Sequence, residues 1–287
     1  MNSTIRQFQA ADERPLTRIH HQIYGGSRLP SRYFQQQANW SKEVNGRFLT
    51  LLHQIQPIGY ASALPVPGLP HLYEMAGFVA PAHHRQGFGS RLFTQLCQSM
   101  RGTGAKQLSR SVSNTQTATS HFLRHHQFFV EHEESLMQLS GLQAQSLDST
   151  PYILRSISPE QFCMLYDQSF GNSPWYQPFT VAEVLSTRQK GDALYGLWIN
   201  ETAVGFVWLR YPKKTVAEIE PIGIVMGKQG KGYGRLLIQH LLHKLQQQGI
   251  QQVQLGVWAS NAIAIHLYQQ FGFRHQNTTT YFAFNLG

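Results

Sequence analysis

A glycine-rich segment occurs twice in this chain of 287 residues, and the two copies lie about half the chain apart. The first copy is residues 85–92 (RQGFGSRL) and the second is residues 230–237 (GKGYGRLL), so that Gly87 corresponds to Gly232, 145 residues later. Each copy follows an apolar run typical of a β-strand and begins a run with helical periodicity. A repeat of this length indicates a duplicated domain and excludes a solenoid of ~20–50-residue repeats.

The order of the predicted elements repeats as well. Each half is predicted to contain a strand, one helix in the first half or two in the second, a pair of strands, the strand and helix that flank the glycine turn, and then strand, helix and strand. The stretch around residues 140–150 is polar and aperiodic. We therefore predict domains over residues 1–141 and 151–287, joined by a linker over residues 142–150.

The charge balance favours an anionic partner. The chain has 24 lysines and arginines against 15 aspartates and glutamates, a formal net charge of +9. Charged residues make up only 14% of the chain and no five cations are consecutive, so a phosphorylated small molecule is favoured over nucleic acid. The hydrophobic fraction of 41% is ordinary for globular domains with their own cores.

Other features exclude several classes of protein. No window approaches the ~18 consecutive apolar residues of a membrane span, and residues 1–6 lack the apolar core of a signal peptide. Cys97 and Cys163 show no disulfide or zinc pattern, and the histidine doublets lack a metal-binding spacing. We therefore expect a cytoplasmic protein with no metal and no membrane partner.

The glycine turn suits a phosphate group. Backbone N–H groups at a helix N-terminus and the positive end of the helix dipole attract anions, and glycine allows the main chain to wrap closely around them. Lys231 and Arg235 add positive charge in the second copy. The spacing is neither that of a Walker loop nor that of a Rossmann fingerprint, so the turn alone does not identify the ligand.

Two motifs in the second half resemble those of a known family. Residues 222–234 (IGIVMGKQGKGYG) resemble motif A of the GNAT acetyltransferases, with signature [QR]-x-x-G-x-[GA], and residues 255–273 resemble motif B. The two motifs have the order and separation of that family. In the first half, residues 79–89 match motif A more loosely, with His84 where Gln or Arg is usual. The whole chain is similar to tandem-GNAT proteins with the layout of mycothiol synthase.

The resemblance implies an α/β fold of two tandem GNAT domains, each a mostly antiparallel sheet that splays between its fourth and fifth strands. It also implies an N-acetyltransferase that moves acetyl from acetyl-CoA to a primary amine by direct attack in a ternary complex. The implied contacts of acetyl-CoA are Ile222, Ile224, Met226, Gln229, Gly230, Lys231, Gly232, Tyr233, Gly234, Arg235 and Asn261. The looser match in the first half adds Val79, Arg85, Gln86, Gly87, Phe88, Gly89 and Ser90.

Three residues of the second half are candidates for proton transfer. Tyr268 matches the family's usual general acid, although an aromatic on the buried face of a helix also fits that position. Glu218 and Glu220 lie two apart on a strand, so we expect both on one face beside the cleft, where desolvation raises a carboxyl pKa. Which of them is the base stays open, as does the alternative of a solvated strand face.

The first half lacks these groups when the two halves are aligned on the glycine turn. Leu123 falls opposite Tyr268, and Tyr73 and Met75 fall opposite Glu218 and Glu220. We therefore predict a catalytic C-terminal domain and a structural or regulatory N-terminal domain. Whether the N-terminal domain still binds CoA stays open.

The acceptor is predicted only by class. In the family, the helices at residues 159–169 and 181–189 flank the acceptor site, so Trp175, Tyr176 and Phe179 either line that site or pack in the core. We expect a small-molecule or peptide amine as acceptor, and a monomer or homodimer. The alternatives are a non-catalytic acyl-CoA sensor and a mycothiol-synthase-type acetyltransferase that makes a thiol cofactor.

Overall fold

The computed structural model describes residues 3–25, 29–113, 117–142, 152–173, 176–188 and 191–287. The predicted linker lies outside these residues except for Leu142. The chain divides into two compact units. The first consists of Met1–Glu131 and Thr280–Gly287, and the second of His132–Thr279.

The described residues form twelve strands and eight α-helices. The strands are β1 (Ser3–Gln7), β2 (Arg47–His53), β3 (Gln56–Val66), β4 (Leu69–Val79), β5 (Gln107–Val112), β6 (Phe129–Ser140), β7 (Tyr152–Ser156), β8 (Ala193–Ile199), β9 (Thr202–Lys213), β10 (Val216–Ile224), β11 (Gln252–Trp258) and β12 (Arg274–Asn285). The helices are α1 (Glu13–Tyr24), α2 (Tyr33–Glu43), α3 (Phe88–Met100), α4 (Ala118–His125), α5 (Pro159–Phe170), α6 (Val181–Arg188), α7 (Tyr233–Gln247) and α8 (Ala262–Gln270).

The sheet of the first unit has the strand order β1-β2-β3-β4-β5-β12. Its neighbours are antiparallel except β4 and β5, which run parallel and pair only over residues 72–74 and 107–109. Because β4 continues to Val79, the two strands diverge towards the glycine turn. The predicted splay between the fourth and fifth strands is therefore present.

The sheet of the second unit has the order β7-β8-β9-β10-β11-β6 and the same divergence. The parallel pair is β10 and β11, which pair over residues 216–219 and 252–255. Beyond Ile219 and Leu255, β10 stays paired with β9 on its other side. The predicted α/β fold with splayed sheets is confirmed in both units.

The last strand of each sequence half completes the sheet of the other half. β6 follows α4 in the chain, but its residues Glu134–Ser140 pair with β11 at seven positions. β12 follows α8, but residues 280–285 pair with β5 at six positions. This differs from the division predicted at residues 141 and 151. The alternation of apolar residues tells which face of a strand is buried, but every unpaired edge offers similar backbone partners.

The helix α2 is absent from the elements predicted for the first half. Its buried residues Phe34, Ala38 and Ser41 are spaced about one helical turn apart, so one face of the helix is buried. Two of these three residues are small, and the remaining positions are mostly polar. Hydrophobic periodicity therefore gave little signal, and packing against the sheet determines this helix.

Each unit has its own core. In the first unit it joins α1, α2 and α3 to the sheet, with Phe34 and Phe282 fully buried. In the second unit one cluster lies between α7 and one face of the sheet, and the other lies between α5, α6 and the opposite face around Phe206 and Trp208. No helix in the described part of the chain is long and apolar enough to cross a membrane.

The exchanged strands predict which unit each core substitution destabilises. Phe282→Ala removes a fully buried ring from the core of the first unit, and Met137→Ala removes a buried β6 side chain from that of the second. Each should cost about 2–5 kcal/mol. In hydrogen–deuterium exchange we expect Phe282→Ala to deprotect β5 and Met137→Ala to deprotect β11. Deprotection confined to the opposite unit in either variant would contradict the strand exchange.

Candidate active site

The glycine turn of the second unit lies between β10 and α7. Gly230 and Gly232 have φ values of 73° and 82°, the left-handed region that favours glycine. A Cβ on either residue would meet nothing within 4 Å, so the turn is open to a ligand. The first-turn N–H groups of a helix lack intrahelical acceptors and carry the positive end of its dipole. The turn can therefore receive an anion.

The first unit has nearly the same backbone at this point. Gly87 has φ 79° and ψ −3°, against 82° and −4° for Gly232. Arg85 adopts a φ of 61° at the position of Gly230, a conformation that is strained for a residue with a side chain. The duplicated sequence therefore folds into a duplicated turn.

One side-chain hydrogen bond fixes the turn in both units. Gln229 Nε2 donates to the carbonyl of Ile224, the last residue of β10, at 3.0 Å. At the corresponding place His84 Nε2 lies 2.7 Å from the carbonyl of Val79 and must be the protonated nitrogen, since a carbonyl only accepts. The histidine thus replaces the Gln or Arg of the motif and keeps its hydrogen bond.

The two turns differ in charge. Residues 228–235 at the turn of the second unit include Lys228, Lys231 and Arg235, whereas Arg85 is the single lysine or arginine in the matching residues 83–90. Arg235 Nη1 donates to Gln270 Oε1 at 3.0 Å, and its guanidinium lies 5.3 Å from the centre of the Phe271 ring. Residues 228–235 of the second turn therefore carry more formal positive charge than residues 83–90 of the first.

The strand before this turn borders the divergence of the sheet. Ile222 and Ile224 are half-buried and paired with β9, opposite Val207 and Gly205. The N–H of Met226 donates to the carbonyl of Gln168 in α5 at 3.2 Å. That N–H already has an internal partner, which leaves the carbonyl of Met226 as its backbone group for a ligand.

A register shift in β10 changes how the carboxylates compare with the first unit. Between Ile219 and Ile222, β10 has one residue more than β9, and β4 has no such shift at that point. The pairings with both neighbouring strands then place Glu74, not Tyr73, at the position of Glu218. The alignment obtained by counting back from the turn is wrong by one residue, because it ignored this bulge.

Glu220 and Pro221 form the bulge, where the first unit has the single residue Ala76. Solvent reaches Glu220, yet the protein atoms around its carboxyl desolvate the charged form. This burial raises the pKa of Glu220, and the carboxylates of Glu134 and Glu218 raise it further, while the Arg210 guanidinium lowers it. A carboxyl with a raised pKa is suited to accept and release a proton near neutral pH.

Tyr268 is buried on α8, and its burial raises its pKa to about 12. Its hydroxyl is therefore protonated at neutral pH. Its ring centre lies 5.8 Å from that of Phe273, in the core cluster that also contains the buried residues of α7. The preceding Leu267 faces Gly234 as Phe122 faces Gly89 in the first unit, so the fully buried Leu123 occupies the place of Tyr268.

Asn261 caps the helix α8. Its Oδ1 accepts a hydrogen bond from the N–H of Ala264 at 3.1 Å. One of its two predicted roles, the N-cap, is therefore present, and it is compatible with a contact from the side-chain amide to a ligand.

The predicted acceptor residues lie between α5 and α6, except that Trp175 falls outside the described residues. The Tyr176 hydroxyl donates to Asp167 Oδ1, which raises the pKa of Tyr176 to about 12. Phe179 is half-buried, with its ring centre 4.8 Å from that of Tyr166. Both residues thus pack against α5 and keep part of their surface exposed.

Sequence reasoning missed two charged residues beside Glu220. One is Arg210 on β9, whose Nε lies 3.7 Å from Asp192 Oδ2. The other is Glu134 on β6, whose side chain extends over Gly256 of β11. A glycine within a strand often marks a close approach, but nothing in the sequence shows that β6 supplies it. In the described ranges, no group of three or more His, Cys, Asp or Glu residues is arranged to hold a metal ion.

Comparison with known proteins identifies the family. The sequence profile described as "Acetyltransferase (GNAT) family" matches the chain twice, over residues 14–128 and 157–273. The chain belongs to the GNAT acetyltransferase family. The predicted resemblance to that family is confirmed, and the chain is an acetyltransferase built from two GNAT repeats.

This GNAT protein has relatives with the same two-repeat layout. Mycothiol acetyltransferase of Renibacterium salmoninarum is 27% identical over 247 residues, which cover 79% of this chain and 71% of the relative. The enzyme of that name from Corynebacterium glutamicum is 24% identical over 205 residues, which cover 68% of this chain and 70% of the relative.

Solved structures share the fold. A GCN5-related N-acetyltransferase from Sphaerobacter thermophilus has a TM-score of 0.66 at 16% identity (99% and 96% covered). A tandem GNAT protein from the clavulanic acid biosynthesis pathway has a TM-score of 0.64 at 12% identity, with 100% of this chain and 99% of that chain covered.

The cap at Asn261 yields a prediction that separates its two roles. Asn261→Ala should lower the free energy of unfolding by about 1 kcal/mol, because an N–H of α8 loses its acceptor. Asn261→Asp keeps the acceptor and should retain the stability, as measured by urea denaturation. If acetyl transfer nevertheless falls in Asn261→Asp, the side-chain amide has a role besides the cap. Equal stability of the alanine variant and the unchanged protein would exclude the cap.

Proposed function

We propose that the second unit of this GNAT acetyltransferase transfers acetyl from acetyl-CoA to a primary amine, with Glu220 as base and Tyr268 as acid. One observation carries the assignment to this unit. The anion-binding turn with three cations, the bulged carboxyl of raised pKa and the buried phenol occur together there, whereas the first unit keeps only the turn and Glu74.

Acetyl-CoA would bind along the divergence between β10 and β11. The pyrophosphate would lie on residues 229–235, where the N-terminus of α7 and the cations stabilise its charge. The half-buried backbone of Ile222 and Ile224 and the carbonyl of Met226 would contact the pantetheine arm. This arrangement brings the thioester to the bulge that holds Glu220. Asn261, at the start of α8, would face the same opening.

The reaction needs two proton transfers. The ammonium group of the acceptor must first lose a proton, and the Glu220 carboxylate accepts that proton. The free amine then attacks the carbonyl carbon of the thioester, so that a C–N bond forms and the C–S bond breaks. The departing sulfur takes a proton from the Tyr268 hydroxyl, and the nitrogen releases its surplus proton to restore the phenol. Glu218 lies two residues before Glu220 on β10 and would add to the negative field at the amine.

The first unit would be structural or regulatory. Its turn retains the backbone of an anion site but lacks two of the three cations, and its α4 carries Leu123 instead of a phenol. Leucine cannot donate a proton.

The acceptor would lie between α5, α6 and the polar face of β10, where Tyr176 and Phe179 are partly exposed. The negative charge of Glu218 and Glu220 favours a cationic amine there. The relatives named mycothiol acetyltransferase are 24% and 27% identical to this chain. They make a thiol-cofactor precursor a second candidate acceptor.

Acetyl-CoA binding can be assigned to one turn by isothermal titration. Gly232→Glu places an anion where the pyrophosphate would lie and should weaken binding at least ~100-fold, since like charges at a contact cost several kcal/mol. Gly232→Ala, which introduces only the backbone strain of ~1–2 kcal/mol, should weaken it far less.

Gly87→Glu is the matched control in the first unit, because its glycine has the same φ and equally open surroundings. We expect no change in the acetyl-CoA affinity. A loss in Gly87→Glu, with binding retained in Gly232→Glu, would place the site in the first unit instead.

The acid role of Tyr268 can be tested with any amine that a screen shows to be acetylated. Tyr268→Phe should lower kcat by ~10²–10⁴-fold while leaving the affinity for acetyl-CoA unchanged. Tyr211→Phe is a suitable control. Burial also raises the pKa of Tyr211 to about 12, but its hydroxyl contacts Gln248 beyond the opposite end of α7. Similar kcat losses in both variants would argue against a specific proton donor.

A further inference from the structure

Three adjacent strands of the second unit bring Glu134, Gly256 and Glu220 together. Ile219 and Leu255 are the last paired residues of β10 and β11, and Glu220 and Gly256 follow them directly. Ala217 and Ile219 are buried against α7, so Glu218 between them faces the opposite side of the sheet. Glu134 lies on β6, which pairs with the other edge of β11.

Gly256 allows the Glu134 side chain to cross β11. A Cβ at position 256 would collide with Oε1 of Glu134, so the carboxylate occupies the space that any other residue would fill. The neighbours of Gly256 on this face, Gln254 and Trp258, carry large side chains. The glycine is therefore the opening through which a carboxylate from β6 reaches the divergence of β10 and β11.

Three charged groups on three strands act on Glu220. Glu134 on β6 and Glu218 on β10 disfavour its negative charge, and Glu134 does so more strongly. Arg210 on β9 favours that charge, but its guanidinium is shared with Asp192 at 3.7 Å and with the Trp208 ring at 5.4 Å. Glu134 is thus the strongest charged influence on the proposed base.

We propose that Glu134 is a positioning residue for acetyl transfer in the second unit, acting through Glu220 from its seat over Gly256. This inference rests on the proposed function. When Glu220 takes a proton from an acceptor ammonium, the negative charge that repels Glu134 disappears. The repulsion therefore makes Glu220 a better proton acceptor, and its return to the carboxylate requires release of that proton to solvent.

The arrangement is specific to the second unit. At the position of Gly256 the first unit has Ser111 on β5, and the β12 residue that corresponds to Glu134 is Thr279, which has no carboxylate. Glu134 belongs to the first half of the sequence and acts in the site of the second half. The exchanged strand β6 thus carries a functional residue between the two repeats.

The test is a pH titration of the full chain labelled with 13C at the glutamate carboxyl groups, observed by NMR. The signal of Glu220 is assigned by its disappearance in Glu220→Gln. We expect the pKa of Glu220 to fall in Glu134→Gln, which removes the charge and keeps the shape. It should return towards its original value in Glu134→Asp. Neither result depends on acetyl-CoA or on any acceptor.

Two further variants control for structure and charge. Glu133→Gln removes the same charge from the adjacent, exposed position of β6, whose side chain points to the other face, and should leave the titration of Glu220 unchanged. Gly256→Ala should displace the Glu134 carboxylate and lower the pKa of Glu220 as Glu134→Gln does. An unchanged titration in Glu134→Gln, or equal shifts in Glu133→Gln and Glu134→Gln, would overturn the proposal.

Kinetics then link the positioning role to catalysis. With an acetylated amine in hand, the acidic limb of the pH profile of kcat/KM should move to lower pH in Glu134→Gln, because Glu220 then stays deprotonated in more acidic solution. A shifted titration with an unshifted pH profile would refute Glu220 as the base and, with it, the positioning role of Glu134 in acetyl transfer. It would leave the assignment of the acetyl-CoA site to Gly232 untouched.

Discussion

The end of the pairing between β10 and β11 is the constraint on which the candidate site depends. Two parallel strands that share hydrogen bonds for only four residues must separate afterwards, and the backbone edges beyond that point become available to a ligand. The glycine turn and the N-terminus of α7 lie at one end of the opening. The extra residue of β10 places Glu220 beside it, and Gly256 is the first residue of β11 past the separation. In the proposed function, binding and proton transfer would therefore both depend on this separation of the two strands.

The two repeats show how a duplicated scaffold can keep its backbone and lose its chemistry. The turn geometry at Gly87 and Gly232 agrees within a few degrees, and His84 makes the hydrogen bond that Gln229 makes. These features determine the path of the chain into the following helix. In the proposed reaction, two of the three cations, the bulged Glu220 and Tyr268 would affect ligand charge and proton transfer, and the first repeat lacks them. Structural and chemical parts of the motif are thus separable.

The exchange of β6 and β12 ties the repeats into one protein. The first unit takes its last strand from the C-terminal end of the chain, and the second unit takes β6 from the end of the first sequence half. Phe282 and Met137 are buried in the cores that these strands complete. A truncation between the halves would expose two sheet edges and remove core side chains from both units. The exchange also explains how Glu134 comes to lie beside Glu220.

The sequence by itself determined the duplication, the family, most helices and strands, the glycine turn and Tyr268, because these are local patterns whose spacing carries their meaning. It did not reveal α2, whose buried face uses Ala38 and Ser41 in place of large apolar residues. Only the tertiary structure decided which sheet β6 and β12 join, because strand edges present the same backbone groups everywhere. It also decided that Glu74 matches Glu218, because one inserted residue in β10 changes the register between the two halves. The place of Glu134 over Gly256 follows from the pairing of β6 with β11.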